Sequence, residues 1–266
     1  MSFEFREVAS FNPADVVRVL RGELAGCMFR NAISPETCRR IADNFRNHPR
    51  LRRRGDAVPA FVLGTFHYRK PLAQYLDEAE SFRETMHDVF DGSTNLFANV
   101  FGAVKTALAA DDVQLRVAEH EGRRASEFVM RSWSGAGQFS LEPHEDGSQL
   151  TDRLQHGFEI QRIAGPATAF NMCLENPGAG ELHYWDLIPA EATRVRLGLQ
   201  ETGYPYPLDI LDGVPKVVVP VHAGDIYFFN GKRIHAVAAQ DGITGYRSTI
   251  SGLMGFVDPS TVVYWS

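Results

Sequence analysis

The stretch LEPHEDGSQL, Leu141 to Leu150, holds His144 and Asp146 two positions apart, with Pro143 before them and Gly147 after. In an extended strand, residues i and i+2 project from the same face. His144 and Asp146 therefore point together, and Glu145 points away. An imidazole and a carboxylate so placed can share a hydrogen bond or grip one ion. The chain has nine histidines, so a single His-x-Asp is a weak signal by itself. It strengthens in AGDIYFFNGKRIHAV, where His235 follows a buried-looking strand and a turn at Gly231. Two imidazole nitrogens and one carboxylate oxygen, converging from distant strands, form a facial triad that leaves coordination positions open. That donor set suits non-haem Fe(II), and zinc is the alternative metal. Most of the other histidines (His48, His67, His87, His120, His156, His183 and His222) are read as structural or exposed.

A cation on the next strand adds to the pattern. Arg247 follows His235 by twelve positions, in GYRSTISG, and the intervening QDGITG reads as a turn. If the flanking strands pair as a hairpin centred near Gly242, Arg247 lies opposite about Ala238. That is ~10 Å along the sheet from His235 at the usual strand rise. A guanidinium there could reach the far end of a five-carbon dicarboxylate whose near end chelates the metal, through a fixed charge and a bidentate fork. Thr249 shares the face of Arg247 and can donate its hydroxyl to the same carboxylate. Arg131, in the apolar run FVMRSW, also needs an anionic partner, because a buried unpaired charge is costly. Cosubstrate, substrate and a protein carboxylate such as Glu181 all remain open for it.

Composition narrows the classes that such a site could serve. The chain has 266 residues, 44% of them hydrophobic, and a formal net charge of −6. That balance argues against a general nucleic-acid binder. The basic run RNHPRLRRR, Arg46 to Arg54, reads as a solvated loop. Three cysteines far apart, with no C-x-x-C spacing, give neither a disulfide framework nor a zinc finger. No signal-like N-terminus and no membrane-length apolar run is visible. A cytoplasmic protein with a small-molecule partner, and neither nucleic acid nor membrane, is the expectation.

The elements that must position these residues change character near residue 110. Asn12-Pro13 and Ser34-Pro35 read as helix caps followed by proline at the first helical position. Cys38, Ile41, Ala42 and Phe45 then form one apolar stripe. A longer stretch opened by Pro71 runs through Phe82 to Phe90, and Ser93 can cap a further helix carrying Phe97, Val100, Phe101, Val104 and Leu108. FVLGTFHYRK, Phe61 to Lys70, reads as a strand or ordered loop between helices. From about Val113 short apolar runs alternate with Gly, Asn, Asp and Pro turns, among them SGAG at Ser134 to Gly137. That pattern indicates a sandwich or barrel. The expected architecture is a single α+β domain over 1–266: about 1–110 mainly helical support, 111–266 mainly β core.

These residues together resemble the Fe(II)/2-oxoglutarate-dependent oxygenases. His144-x-Asp146, His235 and Arg247-x-Thr249 stand where that superfamily carries its iron and cosubstrate residues. The stretches ESFRETMHDVFDGSTNLFANVFGAVKTAL, NPGAGELHYWD, RSTISGLMGF and VVYWS are similar to one branch, which includes N-succinyl amino acid hydroxylases and free-standing indole-alkaloid halogenases. The resemblance implies a double-stranded β-helix, a distorted cupin-like jelly roll. It also implies Fe(II), 2-oxoglutarate and O2 as the reaction's cofactors. Halogenases of this type carry a small residue where Asp146 stands, and chloride fills the vacated position. A retained carboxylate implies hydroxylation instead, of an amino acid or its derivative, or oxidative tailoring of a natural-product scaffold. By the same resemblance, the segment holding His67, Tyr68 and Arg69 helps to line the substrate pocket. Outside the resemblance stand a zinc-dependent hydrolase and a non-catalytic cupin-like binding protein.

Overall fold

The computed structural model describes residues 3–53, 60–133, 138–239 and 245–266. Arg54, the SGAG turn and Gly242, all named above, lie outside them. The N-terminal half begins with strand β1 (Phe5–Val8), helix α1 (Pro13–Leu20), strand β2 (Gly26–Phe29) and helix α2 (Pro35–Arg46). Strands β3 (Arg52–Arg53) and β4 (Ala60–Leu63) precede helices α3 (Leu72–Phe82) and α4 (Leu96–Ala109). Then come β5 (Gln114–Val117), a small hairpin of β6 (Glu119–His120) and β7 (Arg123–Arg124), β8 (Val129–Trp133) and β9 (Phe139–His144). Next are β10 (Thr168–Glu175), β11 (Leu182–Trp185), helix α5 (Glu191–Leu197) and β12 (Lys216–Val219). The chain ends with β13 (Ile226–Asn230), β14 (His235–Ala238), β15 (Arg247–Asp258) and β16 (Thr261–Trp265).

Two sheets carry the site. The major sheet runs β1-β2-β13-β10-β15-β8-β4-β3, with β16 on the far half of β15 and β5 beyond it. The minor sheet runs β12-β11-β14-β9. Alternation along the major strands sorts their side chains. Phe170, Met172, Phe228, Ile250 and Met254 join a buried cluster with Val16 of α1, Phe45 of α2 and Phe97 and Phe101 of α4. Each such side chain contributes about 1.5–3 kcal/mol on burial. The opposite face, with Asn171, Tyr227, Phe229, Arg247 and Thr249, lines a chamber completed by the minor sheet.

The cap readings hold at Asn12 and Ser34, whose side chains accept from Ala14 N and Thr37 N. The expected cap at Ser93 is displaced to Asn95, which accepts from Ala98 N. The stretch after Pro71 breaks at Phe82 and resumes as a short 3₁₀ turn, Met86–Phe90, keeping Met86, Val89 and Phe90 buried. The N-terminal residues also supply strands, which the helical reading missed. β2 (GCMF) is buried at every position, so it shows no alternation to read.

Two further expectations are corrected. β14 and β15 do not form a hairpin: β14 pairs with β9 and β11, whereas β15 pairs with β10, β8 and β16. The connection between them crosses from one sheet to the other, so Arg247 reaches the chamber from the wall opposite His235. The basic run is also not simply solvated. Arg46 pairs with Glu175 and Asp43, Arg50 sits 3.7 Å from the Phe82 ring centroid, and Arg52 donates to Gly64 O at 2.7 Å. Among the described residues no helix is long and apolar enough to cross a membrane.

Candidate metal centre and chamber

The antiparallel β9–β14 pair sets His144 directly opposite His235. Their ring centroids are 4.0 Å apart. Each Nδ1 lies against a backbone carbonyl two residues earlier: Glu142 O at 2.8 Å for His144, and Arg233 O at 2.9 Å for His235. A carbonyl can only accept, so Nδ1 carries the proton and Nε2 presents its lone pair. This is how metal-binding histidines are oriented by an outer partner.

Asp146 follows where β9 leaves the sheet. Its backbone N–H donates to Gly231 O at 2.7 Å, and its Oδ1 accepts from Gln149 Nε2 at 2.8 Å. Its Oδ2 lies 3.6 Å from His235 Nε2. One ligand atom from each of His144, Asp146 and His235 falls within 4.8 Å of the others. Gly231 makes room for this: a Cβ there would stand 2.3 Å from Asp146 Oδ2.

Burial, with the neighbouring His235, pushes His144 down to about 3, and burial pushes His235 down to about 4. Both rings are therefore neutral at neutral pH and available as donors to a metal. Burial also raises the Asp146 carboxyl, which is the situation that a bound cation relieves. Two oriented neutral imidazoles and one buried carboxylate fit a divalent metal, and the side facing the chamber is open to further ligands.

The chamber has a volume of about 480 Å³. Its major-sheet wall is a polar ladder. Arg247, at the start of β15, is 3% exposed, and its Nη2 donates to Tyr227 Oη at 2.5 Å. Thr249 pairs in register with Arg131 on β8, and Arg131 Nη2 donates to Ser251 Oγ at 3.0 Å. The Arg131 charge favours the ionised Asp146 carboxylate and disfavours a protonated His144, although burial dominates both. Asn171 on β10 faces the chamber from the rung of Ser251 and Tyr227.

The loop after β4 places His67, Tyr68 and Arg69 in the chamber wall. Tyr68 Oη donates to Thr202 O at 3.1 Å. His67 is 2% exposed and held by its backbone, with N–H to Ser266 O at 3.1 Å and O from Gln155 Nε2 at 3.2 Å. Neither of its ring nitrogens meets a hydrogen-bond partner among the described residues. Burial, with some help from the Lys70 charge, pushes it down to about 4. His67 is buried rather than exposed, its ring set edge-on to those of Tyr75 and Trp265. Arg69 sits in the left-handed region at φ 55°.

Sequence reasoning missed Tyr227, Phe229, Gln149, Thr202 and Tyr204, which also line the chamber. Tyr227 and Phe229 lie on β13, which like β2 is buried at every position, so no alternation showed which of its residues face the chamber. Thr202 and Tyr204 come from an irregular segment with no period to read. Glu145 points away from the triad as expected, and its carboxylate is taken up by Gly147 and Ser148.

A His-Asp-His face opening on a chamber with a cationic wall defines the class of non-haem iron enzymes that use 2-oxoglutarate and dioxygen. The family described as carrier-protein-independent halogenase WelO5 matches residues 2–266, and the chain belongs to this family. An L-isoleucine 3(1)-dioxygenase of Pantoea ananatis (strain AJ13355) is 30% identical over 249 residues, spanning 90% of this chain and 82% of that protein. Among solved structures, the non-haem α-ketoglutarate-dependent epimerase SnoN from nogalamycin biosynthesis aligns with a TM-score of 0.49 at 15% identity, covering 96% and 84% of the two chains. An N-substituted L-amino acid dioxygenase from Burkholderia ambifaria AMMD gives 0.49 at 13% identity, covering 96% and 91%.

Proposed function

We propose that this enzyme hydroxylates an unactivated C–H bond of a free amino acid or a close derivative, consuming 2-oxoglutarate and O2 and releasing succinate and CO2. The carrying observation is Asp146, a buried carboxylate in the triad, hydrogen-bonded from Gln149 and anchored at Gly231. The family's halogenases resemble this chain but carry a small residue there. With the carboxylate in place, a halide has no vacated position to occupy. The two facing sheets are read as the double-stranded β-helix of the superfamily. Three buried free cysteines go with a cytoplasmic location.

His144 Nε2, Asp146 Oδ2 and His235 Nε2 would hold the iron. Bound there, iron would supply the activation of O2, coupled to oxidative decarboxylation of 2-oxoglutarate, that oxidising an unactivated C–H bond requires. The rest is positioning by this chain. Arg247 and Thr249 take the C5 carboxylate of the cosubstrate, and Tyr227 holds the Arg247 fork in place. Arg131, on the same wall at the rung of Thr249, is placed to meet a carboxylate of cosubstrate or substrate. His67, Tyr68 and Arg69 face the substrate from the helical half. A chamber of about 480 Å³ must hold cosubstrate and substrate together, which favours a small substrate over a large scaffold.

The test is a panel of amino acids, N-acyl amino acids and indole compounds, incubated with Fe(II), 2-oxoglutarate and air, with succinate and product mass followed. Aliphatic amino acids such as L-isoleucine, or their N-acyl forms, should accelerate succinate formation and gain one oxygen. Acceleration by indole compounds alone would move the substrate class. A chlorinated product in the presence of chloride would overturn hydroxylation.

A further inference from the structure

Glu145 lies between two residues of the triad, yet its side chain is buried on the far side of their turn, 1% exposed. Burying a carboxylate is costly unless donors meet it, and here they do. It accepts from the backbone N–H of Gly147, from the backbone N–H of Ser148 at 3.1 Å and from the Ser148 hydroxyl. The Arg194 guanidinium of α5 stands 3.9 Å away. These bonds close the first turn of the short 3₁₀ segment Ser148–Thr151. That segment carries Gln149, which donates to Asp146 Oδ1. The side chain that points away from the metal thus fixes the turn that aims its carboxylate ligand.

A second set of contacts ties the same turn to the substrate side. Glu145 N donates to Gly203 O at 3.0 Å, and Tyr206 N donates to Pro143 O at 2.8 Å. The segment 199–206 is therefore bolted to the His-x-Asp turn, and it delivers Thr202 and Tyr204 to the chamber. Gly203 is required at the junction. Its φ is +59°, and a Cβ on it would stand 2.5 Å from Glu145 O and 2.9 Å from Glu145 Oε1.

We propose that Glu145 is a positioning residue that couples the substrate-facing segment 199–206 to the aim of Asp146 at the metal. The inference rests on the reading of His144, Asp146 and His235 as metal ligands. It gives the residue between the two ligands a mechanical part without contact with metal or substrate, and it predicts that a change at Gly203 is felt at the metal.

The experiment titrates metal-free protein with Co(II) alone and follows its visible d–d bands, so that no turnover is needed. Glu145→Leu should weaken Co(II) binding about 10- to 100-fold, the range for lost outer partners of metal ligands, and shift the bands. Glu145→Gln keeps an acceptor for Gly147 and Ser148 and should stay close to wild type. Gly203→Ala should reproduce the band shift of Glu145→Leu. Wild-type affinity and bands in Glu145→Leu would overturn the positioning role. A shift in Glu145→Leu with none in Gly203→Ala would overturn the coupling. If Glu145→Leu does not fold, Ser148→Ala, which removes one donor to the same carboxylate, takes its place with the same expected shift. His144→Ala is the control: if wild type binds Co(II) no better than this variant, the metal-centre reading itself fails.

Discussion

The two walls of the chamber are built on different plans. The minor sheet has four strands, and on them or just beyond β9 lie His144, Asp146 and His235. Each of these side chains is fixed by a short local contact: a carbonyl two residues back for the imidazoles, Gln149 for the carboxylate. The major sheet offers longer side chains, Arg131, Arg247 and Tyr227, spread over neighbouring strands. The backing differs as well. Helices α1, α2 and α4 cover the outer face of the major sheet. The minor sheet is covered by Leu199, Tyr206 and Leu211 from the connection between β11 and β12 that follows α5. A metal needs donor atoms placed to fractions of an ångström, which paired short strands and backbone bonds provide. The far end of a dicarboxylate needs charge and reach, which a guanidinium on a rigid, helix-backed sheet provides.

That division of labour is most directly broken at Asp146. Asp146→Ala should fold and keep the β9–β14 pair but lose hydroxylation. The loss should exceed the ~10–100-fold typical of an outer-shell partner. Hydroxylation at the wild-type rate without added ligands would show that the minor sheet does not supply the third ligand. The major-sheet counterpart is Arg247→Leu, for which metal binding should change little while the 2-oxoglutarate concentration for half-maximal rate rises. Losing a hydrogen-bonded charge costs ~1.5–3 kcal/mol, or roughly ten- to a hundredfold or more. An unchanged cosubstrate dependence would move the anchor to Arg131, which pairs with Thr249 from β8.

The two plans were not equally legible in the sequence. His144 and Asp146 announce themselves through their i, i+2 spacing, although β9 ends at His144 and Asp146 is aimed by the turn that follows, and His235 through the strand and Gly231 turn before it. Which sheet a strand joins is a long-range property, and no local spacing encodes it. The hairpin expected between His235 and Arg247 therefore failed, although both residues reach one chamber. β2 hid among helices because a four-residue strand buried at every position has no alternation, and β1 because its four residues are half-buried or exposed and carry no apolar run. Thr202, Tyr204 and Gln149 act through an irregular segment and a 3₁₀ turn, where side-chain direction follows from contacts made elsewhere. Glu145 was read correctly as pointing away, but the donors waiting for it at Gly147 and Ser148 could only be seen in the folded turn.

A smaller effect concerns the third wall, the loop after β4, and its response to acid. His67 has a folded pKa of about 4, pushed down first by burial. The unfolded chain takes up a proton near the ordinary histidine value, ~6.5. Between those values the unfolded state binds a proton that the folded state refuses, so stability falls as pH falls from about 6.5 towards 4. One such group contributes at most ~1.4 kcal/mol per pH unit. Chemical denaturation of metal-free wild type and His67→Gln at several pH values measures that share. The variant should show a shallower decline, and parallel curves would mean that His67 is protonated in the folded protein.

The last prediction asks whether this third wall reads the substrate at all. The metal and cosubstrate groups lie on strands after residue 128, while His67 and Tyr68 come from the helical half. Changing them should therefore leave the anaerobic absorption of the iron–2-oxoglutarate complex intact and alter only which panel members are oxidised. The two buried imidazole nitrogens meet no hydrogen-bond partner among the described residues, and an unmade interaction of about 1–3 kcal/mol is enough for a polar substrate group to be selected by completing it. Tyr68 acts differently. Its hydroxyl holds Thr202 O, so Tyr68→Ala loosens the segment that carries Tyr204 and should broaden selectivity. His67→Ala should instead penalise substrates with a polar group on that side. Relative rates unchanged across the panel in both variants would reduce the loop to packing and leave discrimination to Tyr204, Asn171 and the apolar side chains of the two sheets.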